Sequence, residues 1–68
     1  MISFHQALHK VIDGKYLTRK GWPDKAYIYL RNGMIACEKG ELIGNFFPRE
    51  EDIKATDWVT VKEDFFNH

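Results

Sequence analysis

Apolar residues near the start of the chain recur at Phe4, Ala7, Leu8, Val11 and Ile12, the i, i+3, i+4, i+7, i+8 spacing of one helix face. His5, Gln6, His9 and Lys10 fall on the other face. Ser3 and Gln6 make a capping-box pair: the Ser3 hydroxyl accepts from the Gln6 N–H and the Gln6 side chain accepts from the Ser3 N–H, so the helix begins after Ser3. Gly14 closes it as a residue that tolerates the left-handed cap conformation. Beyond Gly14 the period shortens to that of strands. Residues 15–20 read as a short strand centred on Tyr16 and Leu17, and Ala26-Tyr27-Ile28-Tyr29-Leu30-Arg31 reads as a second. Asn32-Gly33 is the favoured pair for a type I′ turn, whose two central residues both need positive φ. Such a turn sets Arg31 opposite Met34, Leu30 opposite Ile35, Tyr29 opposite Ala36 and Ile28 opposite Cys37. A second turn at Lys39-Gly40 places Leu42 opposite Cys37 and Ile43 opposite Ala36, completing a meander.

In this register Ile28, Leu30, Ile35, Cys37 and Leu42 share one face of the sheet, the natural seat for the helix stripe. Tyr27, Tyr29, Met34, Ala36 and Ile43 share the other, which is too apolar to face water alone, and Phe46-Phe47 extends that surface. Either a second subunit or the C-terminal segment must cover it. Pro48, followed by Glu50, Glu51 and Asp52, predicts a helical turn over residues 48–55 whose carboxylates form a solvated cap at the positive end of the helix dipole. Trp58-Val59-Thr60-Val61 alternates as a last strand that returns to the sheet. The fold class is α+β: an N-terminal helix packed on a small antiparallel meander sheet, with a short helical turn before a C-terminal strand. Residues 1–61 form a single domain and residues 62–68 a tail, in which Phe65 and Phe66 either dock on a neighbour or fray.

A 68-residue chain has a thin core, since a domain of this size buries only about 60% of its unfolded surface. Small scaffolds are usually reinforced by disulfides, metal or association. Cys37 is the only cysteine, which excludes an internal disulfide and fits a reducing compartment. His5 and His9 could share a helix face, but spacing places no third ligand, so neither a structural metal nor a cofactor is expected. Association remains, and a homo-oligomer is the expectation. Ten Lys and Arg balance ten Asp and Glu, leaving no net field to gather long nucleic acid or an anionic membrane. No apolar run reaches the length of a membrane span or a signal-peptide core, and the expected location is the cytoplasm.

No catalytic constellation emerges. Cys37 falls in mid-strand on the core face with no histidine placed beside it, and consecutive carboxylates fan apart on a helix. There is no phosphate-cradling GxxxxGK[ST] or GxGxxG element. Binding outranks catalysis. Thr18-Arg19-Lys20-Gly21-Trp22 carries the densest chemistry: two cations and an indole at a strand end, followed by Pro23-Asp24. Gly21 leaves room for close approach, and a flat ring beside cations suits a ligand that is part ring and part phosphate, as a nucleotide is. Trp22 has two readings, a core indole or a stacking surface. Strand alternation sends Arg19 and Lys20 to opposite faces, and Arg suits bidentate phosphate contact better.

The ordered set of motifs resembles the Thoeris anti-defence two-like family of small phage proteins. It comprises a Phe-led helix ending at Gly14-Lys15, then Arg19-Lys20-Gly21-Trp22, Tyr27-Ile28-Tyr29-Leu30, Asn32-Gly33, and the acidic turn that runs from Asp52 into Asp57-Trp58-Val59. The resemblance covers Ile2 to about Val61. It implies an oligomeric protein in the host cytoplasm that sequesters a nucleotide-derived immune signal, cyclic ADP-ribose-like or a cyclic oligonucleotide, without cleaving it. Carried over by position, the family's aromatic contacts fall on Phe4 and Trp22. Asp57 matches an acidic position that accepts from ribose hydroxyls, or else it caps the turn. The candidate ligand-binding residues are therefore Phe4, Arg19, Trp22, Tyr29 and Asp57, with Tyr29 on the face assigned to a second subunit. The competing reading is a protein-interaction module that blocks a host or viral partner through its apolar sheet face; a hydrolase of such signals has less support.

Overall fold

The computed structural model describes residues 1–22 and 26–62. Helix α1 spans Phe4–Ile12 and starts as the capping box requires: the Gln6 N–H donates to Ser3 Oγ at 3.3 Å and the Ser3 N–H donates to Gln6 Oε1 at 3.0 Å. It ends at Gly14, whose φ of +93° lies in the left-handed region. Ala7 and Val11 are fully buried, whereas Ile12 in the last turn is exposed.

Five strands follow: β1 Leu17–Arg19, β2 Ala26–Arg31, β3 Met34–Lys39, β4 Leu42–Asn45 and β5 Trp58–Thr60, with helix α2 (Glu50–Lys54) before the last. The sheet order is β4-β3-β2-β1-β5 and every described pairing is antiparallel. This is the expected α+β architecture, with β5 returning beside β1. Strand β1 is shorter than residues 15–20 because both ends are tied elsewhere. The Lys15 N–H donates to Lys10 O at the helix exit, and the Lys20 N–H donates to Asp57 O as the chain turns.

The Asn32-Gly33 turn has φ values of +51° and +78°, and it holds Arg31, Leu30, Tyr29 and Ile28 opposite Met34, Ile35, Ala36 and Cys37 as expected. The second turn differs. Lys39 pairs with Leu42 and Cys37 with Gly44, so the central residues are Gly40-Glu41 and β4 slides by two positions relative to the expected register. Only Gly40 has positive φ there, +59°, which meets the need of a type II′ turn at its first central position. A two-residue slide preserves the faces but carries Leu42 to the sheet's end, where it is exposed.

Leu17, Ile28 and Trp58 are fully buried and meet Ala7 and Val11 to form the core. Leu30 and Leu42, expected to line this face, are exposed instead, while Ile35 and Cys37 do pack against the core. Phe46 also lies on the helix side: its ring is 6.4 Å from Phe4 and 6.3 Å from Trp58, so it does not extend the tyrosine face. On that opposite face Tyr16 stacks on Tyr29, with centroids 5.0 Å apart and planes at 15°. Tyr27 is buried and donates its hydroxyl hydrogen to Glu38. Met34 and Ile43 are exposed there. Phe65 and Phe66 lie outside the described residues. No described helix is long and apolar enough to cross a membrane.

Candidate functional site

Strand β1 delivers Arg19 to the helix side of the sheet, opposite Trp58 in β5. Its guanidinium is held by two carboxylates: Nε donates to Asp57 Oδ1 at 2.9 Å and an Nη donates to Asp52 Oδ1 at 3.0 Å. Asp52 is buried, which corrects the expectation that all three carboxylates at the start of α2 are solvated. The helix turns only this one inward. Its Oδ2 accepts from the Arg49 N–H at 2.9 Å, and its carbonyl accepts from Trp58 Nε1 at 3.1 Å. One aspartate thus joins the helix start, the core indole and β1.

Hydrogen bonding from Arg19 holds the Asp57 carboxyl below the usual carboxylate range, with the Gly21 backbone N–H adding to the effect. The same pairing, with Asp57 foremost, raises the Arg19 guanidinium's affinity for its proton. A Cβ on Gly21 would lie 3.8 Å from Asp57 Oδ2, an ordinary contact.

Backbone geometry then positions Trp22, whose N–H donates to Arg19 O at 3.1 Å. The half-buried indole packs edge-on against Trp58 at 5.1 Å and against Phe46 at 6.1 Å. Phe4 lies 5.7 Å from Trp58. Both readings of Trp22 therefore have a structural counterpart, because part of the ring is packed on the core and part lines a cleft. That cleft has a volume of about 520 Å³ and lies between Trp22, the ends of β3 and β4, the Phe46-Phe47 segment and the first turn of α2. Cys37, Lys39, Leu42, Arg49 and Asp52 are among its walls. Lys39 Nζ stands 5.9 Å from the centre of the Trp22 ring, within cation–π range. Burial pushes the Cys37 thiol up, so it stays protonated and apolar in character.

Of the five sequence-derived candidates, the structure brings four to one side of the sheet. Trp22 lines the cleft, Phe4 sits behind it in the aromatic cluster, and Arg19 with Asp57 forms the polar bracket beneath the turn. Tyr29 lies on the opposite face, stacked on Tyr16 and 3.5 Å from Glu38 Oε1 through its hydroxyl. Sequence reasoning missed Lys39, Arg49, Phe46 and Asp52. For Asp52 a signal existed, since an acidic residue at the third position of a helix returns readily to the backbone at its start. Lys39 and Arg49 carry no local mark of their role. Among the described residues no group of three His, Cys, Asp or Glu side chains is placed to hold a metal ion.

The family model for the Thoeris anti-defense 2-like domain matches residues 2–61. No curated protein matches the chain.

Proposed function

The chain belongs to the Thoeris anti-defense 2-like family, and on that premise we propose that it is a phage anti-defence protein that sequesters a nucleotide-derived immune signal without cleaving it. The observation that carries this reading is the cleft of about 520 Å³ walled by a half-buried indole and rimmed by Lys39 and Arg49. That volume suits a small molecule, and few convergent charged groups fix its orientation. A base stacks on Trp22, and its phosphates meet Lys39 and Arg49. Arg19, engaged by the Asp52 and Asp57 carboxylates, holds the wall in place from beneath the turn. Phe4 packs on Trp58 and Phe46, the two rings that Trp22 leans against.

A second copy of the chain completes the assembly in this reading. Met34 and Ile43 are exposed apolar side chains on the face that carries Tyr29, and a thin-cored domain gains stability by covering them. Tyr29 then belongs to the interface.

Calorimetry of the protein against cyclic ADP-ribose and a set of cyclic dinucleotides tests the reading, followed by denaturation and chromatography of the released ligand. One ligand is expected to bind and to be recovered intact. Lys39→Glu, at an exposed position, should abolish phosphate-dependent binding with the fold unchanged. Trp22→Ala should weaken binding about tenfold or more, since stacking contributes about 1–3 kcal/mol per base. Absence of heat with every ligand points instead to a protein-interaction module, and recovery of altered ligand points to a hydrolase.

A further inference from the structure

Away from the cleft, the solvent face of α1 carries a pair of side chains to which the binding reading assigns no role. His5 and His9 are both exposed and one helical turn apart. Their Nε2 atoms approach to 3.3 Å, while the ring centroids are 4.8 Å apart with planes at 79°. The nitrogens are closer than the centroids, so both Nε2 atoms turn into the gap between the rings. Two neutral imidazoles gain one long hydrogen bond from this approach, and two imidazolium rings repel each other. A metal ion uses the arrangement better. Bonds of about 2.0–2.1 Å from Zn²⁺ to imidazole, opened to the tetrahedral angle, separate two ligand nitrogens by about 3.3 Å.

We propose that His5 and His9 form a two-point chelate for a late first-row divalent transition metal ion, Zn²⁺ being the ion whose geometry fits the spacing. Two histidines four apart on a helix are a recognised donor pair for Zn²⁺, and neutral imidazole also suits Cu²⁺ and Ni²⁺. Among the described residues no group of three potential ligands forms, so water fills the remaining coordination positions and the ion exchanges with solvent. Ala7 and Val11 occupy the buried face of the same helix, so the chelate and the core do not compete for side chains. Binding clamps successive turns of α1 from outside, which stabilises a helix of only nine residues.

Titration of tag-free protein with ZnCl₂ by calorimetry tests the proposal. One ion per chain is expected, with no heat from MgCl₂, because Mg²⁺ prefers oxygen ligands. His5→Ala and His9→Ala should each lower the affinity about a hundredfold, the loss expected when a linked pair of contacts becomes a single one. Both sites are exposed, and an unchanged circular dichroism spectrum verifies that each variant folds. His68→Ala, which removes the sequence's remaining histidine, should bind as the parent does. The proposal is overturned if either α1 variant binds Zn²⁺ as tightly as the parent, or if His68→Ala is the variant that loses binding.

Discussion

Replacing Arg19 by alanine removes the cation that faces Asp52 at 3.0 Å and Asp57 at 2.9 Å. The Asp52 side chain is only 8% exposed and is left beside the core without its charge partner. Breaking a buried pair from one side costs about 3–5 kcal/mol. Water does reach this cluster, since the Arg19 and Asp57 side chains are 18% and 29% exposed, so the expected loss is lower, about 2–3 kcal/mol. A chain of 68 residues has a total stability of about 3–10 kcal/mol. Arg19→Ala therefore removes a large share of it, and the melting temperature falls by about 10–20 °C. Urea denaturation followed by tryptophan fluorescence reads this directly. With a slope of about 1 kcal/mol per molar urea the midpoint drops by about 2 M. Arg19→Met combined with Asp52→Asn should recover part of the loss, because the stranded charge goes with its partner and the amide oxygen still accepts from Arg49. Lys20→Ala, at the exposed neighbouring position, should stay within about 0.5 kcal/mol of the parent. If Arg19→Ala unfolds within about 0.3 M of the parent midpoint, the bracket is a solvated surface pair and Arg19 is released to act as a ligand contact.

Three further outcomes follow from the geometry. Because Arg19 depresses the Asp57 pKa in the folded state, its stabilising contribution is complete above the unfolded value of about 3.9 and is lost as the pH falls through the lower folded value. Urea midpoints measured from pH 6 down to pH 2 should drop across that interval, and Asp57→Asn should flatten the drop; equal acid sensitivity in both proteins would remove Asp57 as its source. Gly33→Ala places a Cβ at φ +78° and should cost about 1 kcal/mol, and an unchanged midpoint would mean that the turn relaxes. Cys37, raised by burial, should react with a thiol reagent at neutral pH far more slowly than free cysteine; labelling at the free rate in the folded protein would contradict its place against the core.

Local chemistry made much of the fold legible. Ser3 and Gln6 define a helix start within four residues, and Asn32-Gly33 dictates both its turn and the register of β2 on β3. Gly40 was ambiguous because it serves equally as the second residue of a Lys39-Gly40 turn or the first of Gly40-Glu41. Hydrophobic pattern could not choose between the two, since a two-residue slide keeps every side chain on its face. The site was harder to read. Trp22 stood out through its neighbours Arg19 and Gly21, yet one of the two carboxylates that hold Arg19 sits 33 residues further on within a run of three carboxylates. Which carboxylate turns inward depends on how α2 is laid against Trp58, a tertiary fact that spacing along the chain does not encode. Lys39 and Arg49 become neighbours of the cleft only through the slid register of β4 and the placement of α2.

The backbone exchange between Ile2 and Trp58, at 2.9 and 3.2 Å, joins the two distant ends of the domain, and it bears on when the cleft comes into being. The β2–β3 hairpin can form early from near neighbours, but Trp58 reaches its seat only after most of the chain has been drawn together. Trp22 leans on Trp58, and Asp52 is tied to it by a hydrogen bond, so the cleft's wall and floor depend on Trp58 being seated. Completion of the cleft is thus tied to the packing of the two ends of the domain. The β3 and β4 residues Cys37, Lys39 and Leu42 supply one side of the cleft, but the side made by Trp22 and Asp52 depends on Trp58, so the cleft is complete only in the fully folded chain.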